Sequence, residues 1–362
     1  MGGIPGIGRA VGAREASGLR VYEVRDEARR LGTITADRLF LNGFPARNPV
    51  AVFNPGMMLE GGEVLLYPRI IVGYYKYVSA IVEARIPLDD VLSGYVTMNS
   101  YSASLAVTPS TPFDLWGAED PRVYQLGGVQ AMTYTGRTLY YFEPGDGDRT
   151  LPVTAVRRGP RWVKAVVHRP PPGLAGRVSN DKNAFLLTVG ERLYLFHRPQ
   201  LADGRYLLLV SELPEEAWGA LSSTPSTPVE VAARRAWVTL EAAGFEEKIA
   251  WGAPPIHLGG GRFLLIMHGV GRAMQAYRVF AAEVELHPSE GPIVRAVTPR
   301  YIMEPREPYE VYGDRPYTVF PCGAALVGGE VLASYGAADY MAAFASIPLD
   351  SILSELDRGR VY

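Results

Sequence analysis

Apolar residues recur along this chain in short runs, and glycines break them at regular intervals. Five stretches share one layout: NPGMMLEGGEVLLYPR from Asn54, DPRVYQLGGVQAMTYT from Asp120, KNAFLLTVGERLYLFHR from Lys182, APPIHLGGGRFLLIMH from Ala253 and PCGAALVGGEVLASYG from Pro321. Each starts polar or proline-rich, continues as an apolar run, turns at glycine and enters a second apolar run. Two β-rich runs flanking Gly-Gly or Gly-x read as a β-hairpin. Gly62, Gly128, Gly190, Gly261 and Gly329 align at spacings of 66, 62, 71 and 68 residues, and each stretch begins eight positions before its glycine. More strand-like text follows the hairpins, as in VSAIVEARIPL, RYLLLVSELP and YRVFAAEVELH.

Repeat units of this size supply four short antiparallel strands. Five of them predict an all-β fold, a five-bladed β-propeller, which removes exposed sheet edges by radial repetition. The blades start near 54, 120, 182, 253 and 321, within a single domain spanning residues 1–362. A pair of β-sandwiches is the competing architecture. Residues 1 to about 45 read as an N-terminal extension carrying an outer strand. LDSILSELDRG near the C-terminus, with Ile352, Leu353 and Leu356 at helical spacing, predicts a short helix.

The repeat has a chemical consequence. If each stretch starts where an inner strand leaves a central channel, Asn54, Asp120, Lys182 with Asn183, Pro254 and Pro321 ring one mouth. The second strands return there with Arg69, Tyr134, His197 and Arg198, His268 and Tyr335. Singly, each has an ordinary structural explanation: Asp120 and Arg122 as an ion pair, His197 as a core histidine, Lys182 as a surface residue. Together, at equivalent repeat positions, they point to a shared site, because buried charge is tolerated when paired or used on a ligand.

Composition narrows the chemistry. The formal net charge is -2, so no basic footprint for nucleic acid is expected. No run of about 18 apolar residues predicts a membrane helix, and the N-terminal text lacks a signal peptide's apolar core. The single Cys322 excludes an internal disulfide, and cytoplasmic residence is the simplest expectation. Lysine is scarce, found only at 76, 164, 182 and 248. LGGGRF is a hairpin turn and neither a P-loop nor a dinucleotide fingerprint, and the histidines show no zinc spacing. No cofactor or metal is therefore expected.

Lys182, Asn183, Arg198 and His268 suit a compact oxyanion such as phosphate, through point charge, amide and guanidinium fork. Asp120 is then the candidate general acid, and Trp116, Tyr134 and Phe320 are candidate faces for a sugar. One acid opposite an anion pocket suits phosphorolysis, in which phosphate replaces water; an inverting glycosidase needs two carboxylates spaced around a water.

These residues carry a resemblance. GAEDPRV (117–123), KN (182–183), HRP (197–199), GAPPI (252–256), MHGV (267–270), YRV (277–279), VFPCG (319–323) and YGAAD (335–339) resemble, in order, the motifs of glycoside hydrolase family 130 over roughly residues 45 to 350. The resemblance implies a five-bladed propeller and a β-mannoside phosphorylase that inverts to α-mannose 1-phosphate. It implies Asp120 as proton donor acting through the mannose 3-hydroxyl. It implies Lys182, Asn183, Arg198 and His268 as phosphate ligands, and Asn54, Arg69 and Asp339 as sugar contacts. Glu119 is expected to support Asp120, and Tyr134 and Phe320 to line the substrate.

Two positions depart from the family pattern: Ala80 follows Ser79 where many members carry Ser-Arg, with Lys76 nearby as a substitute cation, and a bulky Trp251 precedes Gly252. Partners are then a mannose-containing oligosaccharide and inorganic phosphate as co-substrate, with a homo-oligomer compatible. Two other functions stay open: a β-mannoside hydrolase using Asp120 with Glu310 or Asp339, and a non-catalytic carbohydrate-binding propeller.

Overall fold

The computed structural model describes residues 4–140, 149–287 and 290–361. The chain is mostly β-strand with few and short helices. The strands run as antiparallel meanders. The first is Ala51–Glu60, Glu63–Gly73, Val78–Pro87 and Tyr101–Val107. The second is Gly117–Leu126, Val129–Arg137, Thr150–Arg158 and Arg161–Arg169. The third is Val178–Val189, Arg192–Leu201, Leu208–Glu212 and Arg235–Leu240. In the fourth, Glu246–Trp251 and Ile256–Gly259 share the partner Arg262–Gly271, followed by Tyr277–His287 and Gly291–Val297. The last is Val319–Val327, Glu330–Ala337 and Met341–Pro348, completed by Arg29–Ile34 from the N-terminal region. The expected C-terminal helix is Leu349–Arg358. No helix among the described residues is long and apolar enough to cross a membrane.

The first hairpin of each meander turns on two residues. Gly61-Gly62, Gly127-Gly128, Gly260-Gly261 and Gly328-Gly329 all have positive φ at both positions, the backbone of a tight hairpin turn. The third hairpin turns on Gly190-Glu191, so Gly190 matches the first glycine of the other pairs. The alignment read from the sequence is therefore one residue out in that repeat. Counted from the first turn glycine, the partner of Asn54 and Asp120 is Asn183, and Lys182 precedes it.

Side chains between neighbouring meanders form the core. Leu65 and Tyr67 pack with Val123 and Met132 between the first and second. Phe185, Phe196, Leu265 and Phe280 belong to the largest cluster, which joins the second, third and fourth. Ile266 and Ala281 pack with Ala343 and Ala345 between the fourth and last. Val52 and Leu66 pack with Leu332 and Phe344 between the last and first. Both faces of these strands are covered, which explains near-continuous apolar runs in place of clean alternation. The first strands approach one another backbone to backbone, and glycine permits it. A Cβ at Gly56 would stand 2.7 Å from the Pro121 carbonyl oxygen, and one at Gly323 would stand 2.7 Å from the Met57 nitrogen.

The N-terminal extension is anchored by a buried ion pair. Arg20 donates to Glu246 at 2.8 Å and to the Thr298 carbonyl at 3.0 Å, while its guanidinium lies 3.8 Å from the Phe280 ring centre. Both side chains are 1% exposed, and Tyr301 donates to the same Glu246 oxygen at 2.6 Å. Removing one partner strands a buried charge. Arg20→Ala is expected to cost about 3–5 kcal/mol in denaturant unfolding, whereas an unchanged midpoint would mean the extension is only loosely attached.

Candidate functional site

The first strands of three meanders carry an irregularity at the same place. The pairing register shifts between Phe53 and Gly56, between Glu119 and Arg122, and between Lys182 and Phe185. Within each shift sits a left-handed residue: Asn54 (φ 48°), Asp120 (φ 51°) and Asn183 (φ 57°). Asn and Asp tolerate that conformation better than other non-glycine residues. Such a bulge re-aims a side chain out of the strand's alternation, here toward two adjoining cavities. The EDP text met in the sequence is such a bulge. Arg122 fixes it by donating to the Asp120 carbonyl at 2.8 Å and to the Gly252 carbonyl of the fourth meander at 2.9 Å.

The smaller cavity, about 120 Å³, is charge-balanced. Arg69, Arg137, Lys182 and Arg315 face Glu119, Asp120, Asp314 and Asp339 across it. Asp120, 9% exposed, accepts at Oδ1 from Asn54 Nδ2 at 2.8 Å and from Arg69 Nη1 at 3.2 Å. Among the described residues no donor engages its Oδ2. Glu119 is fully committed: Arg69 at 3.2 Å, Arg137 at 2.7 and 3.2 Å and Lys182 at 3.5 Å surround it. Burial would push its carboxyl up, but those cations hold it well below the usual carboxylate range. Asp339, left-handed at φ 50° in a hairpin turn, is pushed up to about 6 by burial and then by the charge of Asp120. Gly336 makes room here, since a Cβ would stand 1.7 Å from Asn54 Oδ1.

The larger cavity, about 350 Å³, is not balanced. Arg137, Arg149, Lys182, Arg198, Lys248 and Arg315 line it against one acid, Asp120. Arg198 and Lys248 have no ion-pair partner among the described residues; both lie over the Tyr206 ring, at 4.8 and 5.1 Å. Burial pushes Lys182 down to about 8, against the pull of Glu119. Burial and then Arg198 and Arg315 push Lys248 down to about 8. Burial, then Arg122, Arg198 and Lys248, holds His268 well below its ordinary value, so its ring is neutral. The Nε of Arg198 and the Nδ1 of His268 are buried without a partner. Desolvated cations that repel one another are the electrostatic signature of an anion site.

The structure brings together Asn54, Arg69, Glu119, Asp120, Phe320 and Asp339 around the first cavity, and Lys182, Asn183, Arg198, His268 and Phe320 around the second. Other expectations need correction. Tyr134 is 2% exposed and donates to Asp114 at 2.7 Å within the core, so it does not line the substrate space. The reason is register. Arg69, Thr135 and Arg198 are equivalent, each pairing with the residue before a bulge, and a one-residue step flips a side chain to the other face.

The same step turns His197 inward, where it bonds Asp181 at 2.7 Å and Ser211 at 2.8 Å. That Ser-His-Asp chain is sealed from solvent and meets no substrate. Tyr335 points to Glu310, bonding it at 2.6 Å, and Pro254 and Pro321 line neither cavity. Glu310 is also held by Arg30 at 3.0 Å and by the Arg306 and Glu307 amides, so it is not an available second carboxylate.

Trp116 and Lys76 lie together outside both cavities, the ammonium 5.7 Å from the indole centre, so Lys76 supplies no substitute cation. Ala80 is packed in the core. Trp251 turns into the core against Phe196 and donates to the His197 and Leu209 carbonyls, each at 3.2 Å, so its bulk does not enter the site.

Arg137, Lys248, Arg315, Asp314, Tyr77, Tyr206 and Tyr277 were not singled out by sequence. Lys248 had a signal: half of the four lysines, 182 and 248, lie in the cation cavity. Arg137 ends its strand at Val129–Arg137, three residues beyond the position assigned to the mouth.

Comparison with known proteins gives concordant findings. The glycoside hydrolase 130 family model, described as beta-1,4-mannooligosaccharide phosphorylase, matches residues 19–358. A 1,2-beta-oligomannan phosphorylase of Thermoanaerobacter sp. (strain X514) is 24% identical over 83% of this chain and 91% of its own. A beta-1,2-mannobiose phosphorylase from the same organism is 26% identical over 80% of this chain and 87% of its own. Among solved structures, the Listeria innocua beta-1,2-mannobiose phosphorylase, bound to beta-1,2-mannobiose, superposes at a TM-score of 0.64 with 18% identity, covering 86% of this chain and 93% of that one.

Sulfate, whose charge is constant, should bind the free protein at the cation cavity. At about 100 times its dissociation constant it should raise Tm by about 3 °C. Both lysines lose their protons near 8 in the free protein. The rise is therefore present below about pH 8 and should shrink as pH climbs above it. A Tm indifferent to sulfate at every pH would contradict the anion site.

Proposed function

The chain belongs to glycoside hydrolase family 130, and we propose that it is an inverting β-mannoside phosphorylase that gives α-mannose 1-phosphate from a mannose-containing oligosaccharide and inorganic phosphate. The observation that carries this reading is the split of one site into a charge-balanced half around Asp120 and a cation-rich half with unpaired Arg198 and Lys248. The names of the relatives support the substrate class. We read the meanders as five blades of a single propeller domain, with Arg29–Ile34 closing the last blade, an arrangement that its pairing with Met341–Pro348 favours.

In this reading the mannosyl ring sits at Asn54, Arg69 and Asp339, with Phe320 between the two halves. Lys182, Asn183, Arg198 and His268 hold phosphate, and Lys248 joins them. A phosphate oxygen forms the new bond to the anomeric carbon as the glycosidic carbon–oxygen bond breaks on the opposite face. Asp120 gives a proton to the leaving oxygen, directly or through the sugar 3-hydroxyl, and Arg69 and Asn54 stabilise the carboxylate that remains. Hydrogen phosphate brings the proton that restores the acid over the cycle, so no cofactor is needed. Hydrolysis would need a base on the phosphate side. Asp339 lines the acid-side cavity and not the cation cavity, and Glu310 is engaged in structural bonds. A lectin would have no use for desolvated, unpaired cations.

Asp120→Asn keeps the shape and the Asn54 contact but removes the transferable proton; turnover should fall by about 10²–10⁴-fold with the fold intact. Glu119→Gln should act by loosening Arg69 and Arg137 and should not mimic that loss. A fully active Asp120→Asn enzyme would falsify the assignment.

Arg198→Ala removes a charged hydrogen-bond donor and should raise the phosphate KM by at least about tenfold, with the mannoside KM little changed. An unaltered phosphate KM would remove Arg198 from the phosphate site.

A further inference from the structure

A third cavity, about 560 Å³, opens beside the acid half of the site and differs from it in kind. Tyrosines dominate its wall: Tyr74, Tyr77, Tyr309, Tyr312 and Tyr340, with Met341. It meets the acid-side cavity at Tyr77, Asp314 and Asp339, and it shares no wall residue with the cation cavity. The order is therefore cation cavity, acid-side cavity, tyrosine groove. At the boundary Tyr77 donates to Asp314 at 2.6 Å.

The groove is built on tight backbone. A Cβ at Gly313 would stand 2.5 Å from the Ala338 carbonyl oxygen, so the segment carrying Tyr312 is seated against the turn carrying Asp339 and Tyr340. Tyr312 is 74% exposed, Tyr74 67% and Tyr340 45%. None of the three side chains has a ring partner or a hydrogen bond among the described residues. Exposed rings with unused hydroxyls offer an apolar face and a polar edge together, the pairing that a pyranose also presents.

We propose that this groove holds the leaving-group side of the substrate beyond the first acceptor sugar, so that the enzyme favours β-mannooligosaccharides of three or more units over the disaccharide. The inference rests on the phosphorylase reading. Inversion places the attacking phosphate and the leaving group on opposite faces of the anomeric carbon. With phosphate in the cation cavity and the mannosyl ring beside Asp120, the departing chain runs away from the cations, and the groove lies on that side. Its volume exceeds that of the acid-side cavity, which suits more than one further sugar.

The test compares phosphorolysis of the disaccharide and trisaccharide of both β-1,2- and β-1,4-linked mannose, in the parent enzyme and in Tyr312→Ala, Tyr312→Phe and Tyr74→Ala. Calorimetric titration of each protein with the two trisaccharides, without phosphate, runs in parallel. The parent should show a lower KM for a trisaccharide than for its disaccharide. Tyr312→Ala should erase about tenfold of that gain, the effect of one lost aromatic contact. The disaccharide kcat and the phosphate KM should not move, and Tyr312→Phe should retain the gain. An unchanged trisaccharide preference in both alanine variants, with phosphorolysis intact, overturns the groove assignment alone. If no mannoside is phosphorolysed, the phosphorylase reading fails, and titration still decides: weaker trisaccharide binding in Tyr312→Ala keeps the groove as an oligosaccharide site, and equal or absent binding overturns it.

Discussion

A left-handed residue inside a strand opposes the ordinary course of a sheet, and this protein sets one at the same point in the first strands of three meanders. Asn54, Asp120 and Asn183 occupy those bulges, seven residues before the first residue of each hairpin turn at Gly61, Gly127 and Gly190. The core of the site follows from that constraint. The bulges turn side chains that would otherwise alternate between two buried sheet faces toward a shared space. The residue opposite the start of the bulge, Arg69 in the first meander and Arg198 in the third, is carried there with them. Glycines at 56, 323 and 336 keep the neighbouring backbones close enough for the repeats to act on one ligand.

Charge then divides the space. On one side the cations that meet Glu119 and Asp120 are answered by those acids: Arg69 spans Glu119 and Asp120, and Arg137 clasps Glu119. Glu119, buried and surrounded, is the counter-ion that keeps this half assembled. On the other side the protein leaves Arg198 and Lys248 over the Tyr206 ring, with no ion-pair partner among the described residues. Burying unmatched charge is costly, and it is retained where a ligand completes the set. The folded protein thus sets a pocket of unmatched cations next to a carboxyl whose Oδ2 meets no donor among the described residues. That juxtaposition separates an enzyme that uses phosphate from one that uses water.

Much of this was legible in the sequence, because hairpin turns are written in glycine and the repeat brings distant motifs into one ring. The EDP, KN, HRP and MHG stretches carry Asp120, Asn183, Arg198 and His268, and the structure gathers these four around one cavity. The failures share one cause. A strand has a period of two, so an error of one residue exchanges cavity for core. The glycine alignment points to Tyr134 at the mouth where Thr135 holds the register, and the HRP text sets His197 beside Arg198 though they face opposite ways. The third repeat slipped by one because Gly190-Glu191 replaces Gly-Gly at its turn. Arg315, Asp314 and Tyr77 lie outside the repeated hairpin, on connections whose course depends on tertiary packing and leaves no periodic trace. Arg20 and Glu246, which tie the extension down, are 226 residues apart and show no local signal.

In the function proposed above, phosphate, and not water, takes the mannosyl group with inversion. Proton and phosphorus magnetic resonance on a running reaction tests it most directly. A β-linked mannobiose is incubated with the full chain in phosphate buffer, and the anomeric signals are followed before mutarotation can blur them. α-Mannose 1-phosphate should appear in step with the released sugar, with no cleavage when phosphate is left out. Free mannose formed at the same rate with and without phosphate, or a β-configured 1-phosphate, would contradict it.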